Sequence, residues 1–207
     1  MSESIDHTSL SRTQKHRKHF LALIIAVSLV LVSVIAPRWD GSVQSYMHGI
    51  GLGLICLAIL GRCWCTLYIA AKKKTALVTI GPYSLCRNPL YVFSLIGTCG
   101  LGLLTGSFVL TAFFTLSAFL VFNWVILREE RYLAKNFSPE YQDYCFRTGR
   151  WLPRLSAWRD QAHIETRPRL MLITLRDGAC LLACWPIFNL LAEARLSGVF
   201  APLFTLP

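Results

Sequence analysis

Four apolar blocks, each about as long as a bilayer is thick, constrain this chain more than any other feature. A helix crossing the hydrocarbon core needs about 20 consecutive apolar residues, with about 17 as the lower limit. Residues 20–36 form the first run, and residues 46–71 the second, broken by Arg62. At about 1.5 Å per residue, Arg62 falls roughly 24 Å along that helix, near its far end, where the stem can snorkel to water. Residues 90–105 and 108–127 form the third and fourth runs, and Gly106-Ser107 between them leaves room only for a tight turn, so an antiparallel helical hairpin is expected. A fifth stretch, 170–192, contains Arg176, Asp177 and Pro186 and can either span or lie in the interface. Only 15% of the residues are charged, where soluble domains have about a quarter. The expected fold class is therefore all-α: an integral membrane protein of four to five transmembrane helices. It divides into an N-terminal tail (1–19), a membrane domain (20–153) and a C-terminal extension (154–207) that holds the fifth stretch. The first run is followed by Pro37-Arg38-Trp39-Asp40 rather than small residues, so no cleaved signal peptide is expected.

Lysine and arginine orient the helices. Arg12, Lys15, Arg17 and Lys18 precede the first run; Lys72, Lys73, Lys74 and Arg87 follow the second; nine more lie between Arg128 and Arg169. The connection 37–45 holds one, Arg38, and the hairpin turn none. With alternating spans the rich segments share one side, the cytoplasmic side by the positive-inside rule. The net charge of +10 is thus a topology signal. Nucleic acid is not an expected partner, because the basic residues flank helices instead of lining one face; membrane lipids are.

Cysteine and histidine carry no site. The eight cysteines are scattered, Cys56, Cys99, Cys180 and Cys184 within apolar runs, and no CxxC pair or Cys/His cluster has zinc spacing. No metal is expected. Gly51/Gly53 and Gly100/Gly102 read as close helix packing, and Trp124, Trp151, Trp158 and Trp185 as interfacial anchors.

Two polar segments remain. The first runs from Leu77 through Gly81-Pro82-Tyr83 and Arg87-Asn88-Pro89 to Tyr91. Each proline disfavours helix in the residue before it, so the loop is constrained and non-helical. Asn88 suits an N-cap and Pro89 the first helical position. A helix N-terminus offers unpaired N–H groups to an anion; Arg87 adds a bidentate carboxylate partner, and Tyr83 and Tyr91 offer ring faces to a cation. The second segment contains Glu129-Glu130, then Phe137-Ser138-Pro139-Glu140-Tyr141, Tyr144 and Arg150-Trp151-Leu152-Pro153. The fourth helix is expected to continue to about Asn136, and a short helix to restart at Ser138-Pro139 and stop near Gly149. On residue chemistry alone, the glutamates also fit a solvated helix end beside Arg128 and Arg131.

Gly-Pro-Tyr, Arg-Asn-Pro-x-Tyr, a hairpin, a Glu-Glu pair, then Glu-Tyr, Tyr and a closing Leu-Pro resemble the isoprenylcysteine carboxyl methyltransferase and phospholipid methyltransferase superfamily over residues 77–153. The resemblance implies a membrane enzyme with cytoplasmic cofactor-binding segments that uses S-adenosyl-L-methionine to methylate a lipophilic or lipid-anchored substrate. It places cofactor contacts on Thr75, Ala76, Leu77, Val78, Tyr83, Asn88, Pro89, Leu90, Tyr91 and Glu129, with Glu130 supporting the pocket, and makes Arg87 the catalytic candidate. The sulfonium already carries an activated methyl, so the protein mainly has to align donor and acceptor. Two departures bear on the substrate: Asn88 stands where the isoprenylcysteine branch usually has His, and Val125 where it has an arginine one turn before the first glutamate. A phospholipid, amine or thiol methyltransferase on the same scaffold is the enzymatic alternative, and a non-catalytic membrane protein of this fold is the other.

The charge asymmetry is testable in intact cells. Single cysteines at Ser42 or Ser107 are expected to react with an impermeant outside reagent, and those at Thr75 or Ser138 to escape it; outside labelling at Thr75 or Ser138 would overturn the cytoplasmic placement.

Overall fold

The computed structural model describes residues 35–37, 41–70, 76–197 and 204–206, together with Leu23, Ala26, Val27, Val30 and Leu31 of the first apolar run. The helix expected over 20–36 therefore falls largely outside the described residues. The five positions seen are helical, and Val27 and Leu31 pack on the core. The helix does not reach Ala36 as expected: Ile35–Pro37 is a short strand, β1, in keeping with the bias of residues before proline towards extended backbone.

The helices follow in order as α1 (Gly41–Ile69), α2 (Pro82–Leu85), α3 (Pro89–Leu103), α4 (Phe108–Asn136), α5 (Glu140–Arg147), a 3-10 turn (Leu155–Ala157), α6 (Pro168–Leu182) and α7 (Cys184–Leu196). A final strand, β2 (Phe204–Leu206), pairs parallel with β1, Ile35 opposite Phe204. Apart from that three-residue pairing the described fold is all-α. Three stretches are long and apolar enough to cross a membrane: Gly41–Ile69, Phe108–Asn136 and Pro168–Leu191; α3 is shorter. The fifth apolar stretch thus has the length of a span. The protein is an integral membrane protein.

The hairpin closes where the sequence places it. Gly106 takes a positive φ of 74°, Ser107 caps α4 by accepting from the Leu110 amide, and a Cβ on Gly102 would lie 2.6 Å from the Thr111 Cα. The same device brings α1 and α3 together, since a Cβ on Gly100 would meet the Gly51 carbonyl at 2.6 Å, and one on Gly51 the Gly100 carbonyl at 2.8 Å. Gly53, by contrast, faces open space. Arg62 does not simply snorkel: its guanidinium donates to Ser94 Oγ on α3. On the other side of α1, Ile59 packs on Gly178 and Thr66 Oγ1 lies 3.2 Å from Thr174 Oγ1, so α6 runs antiparallel to α1. Ile55, Leu101, Phe114, Phe122 and Ile126 fill the core between the helices.

Because the Gly51–Gly100 contact is backbone to backbone, no rotamer change can relieve a methyl there. Gly100→Ala is expected to lower stability in detergent by about 1–3 kcal/mol, the usual cost of overpacking. Gly53→Ala is expected to be neutral or to stabilise by up to about 1 kcal/mol through helix propensity. Thermal unfolding of the two variants side by side checks this.

Candidate functional site

The loop between α1 and α3 closes only some of its own backbone hydrogen bonds, such as the Ser84 amide to the Gly81 carbonyl at 2.9 Å. Gly81 stands at φ 59°, and a Cβ there would strike the Tyr68 ring at 2.2 Å, so no other residue fits. Pro82 then starts the single turn α2, and Pro89 starts α3. Residues 149–159 run antiparallel alongside and supply the missing partners. The Gly81 amide donates to the Arg159 carbonyl (2.7 Å), the Arg154 amide to Leu85 (2.9 Å) and the Arg87 amide to Gly149 (2.8 Å). The Arg159 amide donates to Ser84 Oγ at 3.0 Å. From α5, the Tyr144 hydroxyl donates to the Tyr83 carbonyl at 2.6 Å.

Asn88 occupies the N-cap position, but its side chain makes no capping bond. The expectation of a side-chain cap is corrected: Nδ2 donates instead to the Arg150 carbonyl at 3.3 Å, which locks the α3 N-terminus to the strap.

Charges converge on Glu130. Arg150 grips it in a fork, Nε to Oε1 at 3.0 Å and Nη2 to Oε2 at 2.7 Å, the strong bidentate geometry. Arg87 Nη1 stands 3.7 Å from Oε1, with Arg87 and Glu130 side chains only 15% and 13% exposed and Arg150 at 38%. An exposed pair would contribute about 0–1 kcal/mol, whereas stripping one partner from a buried charge costs about 3–5 kcal/mol. The buried member, Arg87, is thus what makes Glu130 structurally necessary, and Glu130 is not part of a solvated helix end. Arg87 also donates to Cys145 Sγ.

Among the buried donors here that lack a partner are Arg87 Nε, the Tyr83 and Tyr141 hydroxyls and Trp151 Nε1. Burial raises Tyr83 well above the ordinary phenol value, with Glu129 among the nearby charges that add to the rise. Tyr141 and Tyr144 are raised too, chiefly by burial. Burial pushes the Cys86 thiol up to about 11, so it is protonated near neutrality. The site is one of neutral hydroxyls and fixed guanidinium charge, with unused donors pointing to a ligand rich in acceptor oxygens.

The expected site residues fall as follows. Thr75 lies outside the described residues, and Ala76 is exposed. Val78 and Tyr83 share a cluster with Cys65 and Tyr68, onto which Leu90 packs; Leu77 is half-buried and Asn88 and Pro89 are buried. Tyr91 is buried against Phe122, ring centroids 5.5 Å apart. Glu129 is half-buried. Val125, where the family arginine would stand, is 3% exposed in the core, and Arg128 lies over the Trp124 ring, so neither restores that charge. Arg150 was not singled out from the sequence; its only signal was its place ahead of Trp151-Leu152-Pro153.

Comparison with known proteins bears on the same stretch. A sequence profile of the phospholipid methyltransferase family matches residues 47–140. The nickel-cobalt-cadmium resistance protein NccN of Alcaligenes xylosoxydans xylosoxydans is 37% identical over 174 residues, 83% of this chain and 81% of that protein. The cobalt-zinc-cadmium resistance protein CzcN of Cupriavidus metallidurans is 44% identical over 141 residues, 67% of this chain and 65% of that protein. The protein-S-isoprenylcysteine O-methyltransferase of Schizosaccharomyces pombe is 38% identical over 80 residues, 37% of this chain and 34% of that enzyme. The profile's span takes in the loop, the hairpin and the glutamate pair, and the chain belongs to the superfamily of membrane methyltransferases that includes the phospholipid and isoprenylcysteine enzymes.

Proposed function

We propose that the chain transfers a methyl group from S-adenosyl-L-methionine to a lipophilic or lipid-anchored acceptor at the cytoplasmic membrane face, in the manner of an isoprenylcysteine carboxyl methyltransferase. The observation that carries this reading is a group of buried donors without a partner, Arg87 Nε and the Tyr83 hydroxyl among them, in the segments that hold the α3 N-terminus and the Glu129-Glu130 pair. This donor set fits the cofactor: a carboxylate for guanidinium and helix N-terminus, and an amino group or ribose for a glutamate. When bound, the cofactor supplies an activated methyl on a sulfonium.

The chain's own residues hold and orient. Arg87 is the proposed anion partner, its charge fixed by Glu130 and its backbone by Gly149. Asn88 and Pro89 set the first turn of α3 through the Arg150 carbonyl. Val78, Leu90 and Tyr91 form apolar and aromatic walls, and Glu129 is the proposed acceptor for the cofactor's N–H or O–H groups. Tyr83 donates its hydroxyl and does not act as a base, since burial keeps it protonated. Two relatives bear metal-resistance names. On this proposal, any part this chain plays in metal tolerance is read as methylation of a membrane acceptor.

Calorimetry with S-adenosylhomocysteine tests the reading without knowledge of the acceptor. Saturable one-to-one binding is expected, and a folded protein that binds none would remove the proposal.

The two glutamates separate by role. They stand about 100° apart around α4. A charged hydrogen bond to a ligand contributes about 1.5–3 kcal/mol, so Glu129→Gln is expected to weaken S-adenosylhomocysteine about tenfold or more with little change in ligand-free thermal stability. Glu130→Gln leaves Arg87 unpaired and is expected to lower ligand-free stability by about 3 kcal/mol. Equal thermal profiles for the two variants would contradict this assignment.

A further inference from the structure

The strap that holds the site also presents a surface the site does not use. Trp151 packs on Phe119 of α4, ring centroids 5.1 Å apart, and Trp158 stacks on Trp64 of α1 at 5.7 Å. Both partners sit on membrane-crossing helices. Phe119 precedes Glu130 by eleven positions, or roughly 16 Å along α4 at about 1.5 Å per residue. Residues 151–158 are therefore pinned at both ends to membrane-crossing helices. Between the pins, Leu152 is 83% and Leu155 77% exposed. Exposed leucines there have no protein cover, and water is a poor neighbour for them.

The polar groups of the same strip are all of one sign. Residues 149–159 contain Arg150, Arg154 and Arg159 and no Asp or Glu. Arg150 is consumed by Glu130. Arg154 and Arg159 are exposed, and among the described residues neither forms an ion pair. The first acid beyond the strip, Asp160, accepts from the Tyr68 hydroxyl at 3.0 Å and so faces α1.

We propose that residues 151–159 form a docking surface for anionic lipid headgroups, with Leu152 and Leu155 seated among the acyl chains and Arg154 and Arg159 on the phosphates. Leucine supplies the apolar contact and arginine the bidentate oxygen contact. The surface is coupled to the site by backbone: the Arg154 amide and the Arg159 carbonyl and amide hold Leu85, Gly81 and Ser84. Headgroups that fix the two arginines thereby restrain the loop 81–87. This inference rests on geometry alone and does not depend on the methyl donor or acceptor.

The test uses the full chain in nanodiscs of phosphatidylcholine with and without phosphatidylglycerol, read by amide hydrogen exchange. Each surface arginine gains about 1 kcal/mol from an anionic membrane, so the amides of 154, 159, 81 and 87 are expected to exchange about tenfold or more slower with phosphatidylglycerol present. Arg154→Gln/Arg159→Gln is expected to abolish that difference while α1 and α3 keep wild-type protection. The harsher Arg154→Glu/Arg159→Glu pair is expected to reverse its sign. Leu152→Ser/Leu155→Ser is expected to speed exchange in both lipids. Equal exchange in the two lipids for the wild-type protein, or a lipid effect that survives in the glutamine pair, would overturn the proposal. Loss of the cofactor-analogue binding described above would leave these outcomes unchanged, so the two readings fail separately.

Discussion

A membrane protein cannot leave backbone polar groups without partners near hydrocarbon, and the loop before α3 is a standing violation of that rule until something pairs with it. Its prolines remove donors and forbid helix, and Gly81 turns the chain through a conformation that side chains avoid. Residues 149–159 answer group by group, amide to carbonyl, from the far end of the hairpin. Everything chemical in the site follows from this pairing. The α3 N-terminus is aimed by the Arg150 carbonyl, and Glu130 reaches Arg87 only because Arg150 holds it from the strap.

Much of the scaffold was legible from residue patterns. Hydrophobic length located the second to fourth helices to within a few positions, because burial in a bilayer imposes length as well as composition. Gly51, Gly100 and Gly102 read correctly as close approaches, yet Gly53 faces nothing; spacing identifies a face but not its neighbour. The pairing of β1 with β2 joins the two ends of the described chain, and no local signal announces a three-residue strand.

The site was legible in part. The family resemblance, not residue chemistry alone, brought the loop and the glutamates together as one region, and the structure does pair Arg87 with Glu130. What escaped was the direction of side chains that have two good options. Asn88 could cap its own helix or reach residues 149–159, and local propensity favours the cap, yet its Nδ2 donates to the tertiary carbonyl of Arg150. Arg150 itself looked like one more basic residue in a topology-setting tail, since nothing local distinguishes a guanidinium bound for a carboxylate twenty positions upstream from one bound for water.

The brevity of α3 has a geometric consequence. Its 15 residues rise about 22 Å, whereas the hydrocarbon core is about 30 Å thick. Its C-terminal end is held level with α4 by the tight turn at Gly106 and Ser107, so the whole deficit appears at its N-terminal end. The first turn of α3 and the charged cluster above it therefore stand about 8 Å short of a full span. Under the proposed function, that shortfall would let a water-soluble cofactor reach the cluster from above and a lipophilic acceptor reach it from the side, without either leaving the medium that dissolves it. A helix two turns longer would rise about 11 Å further and remove that shortfall.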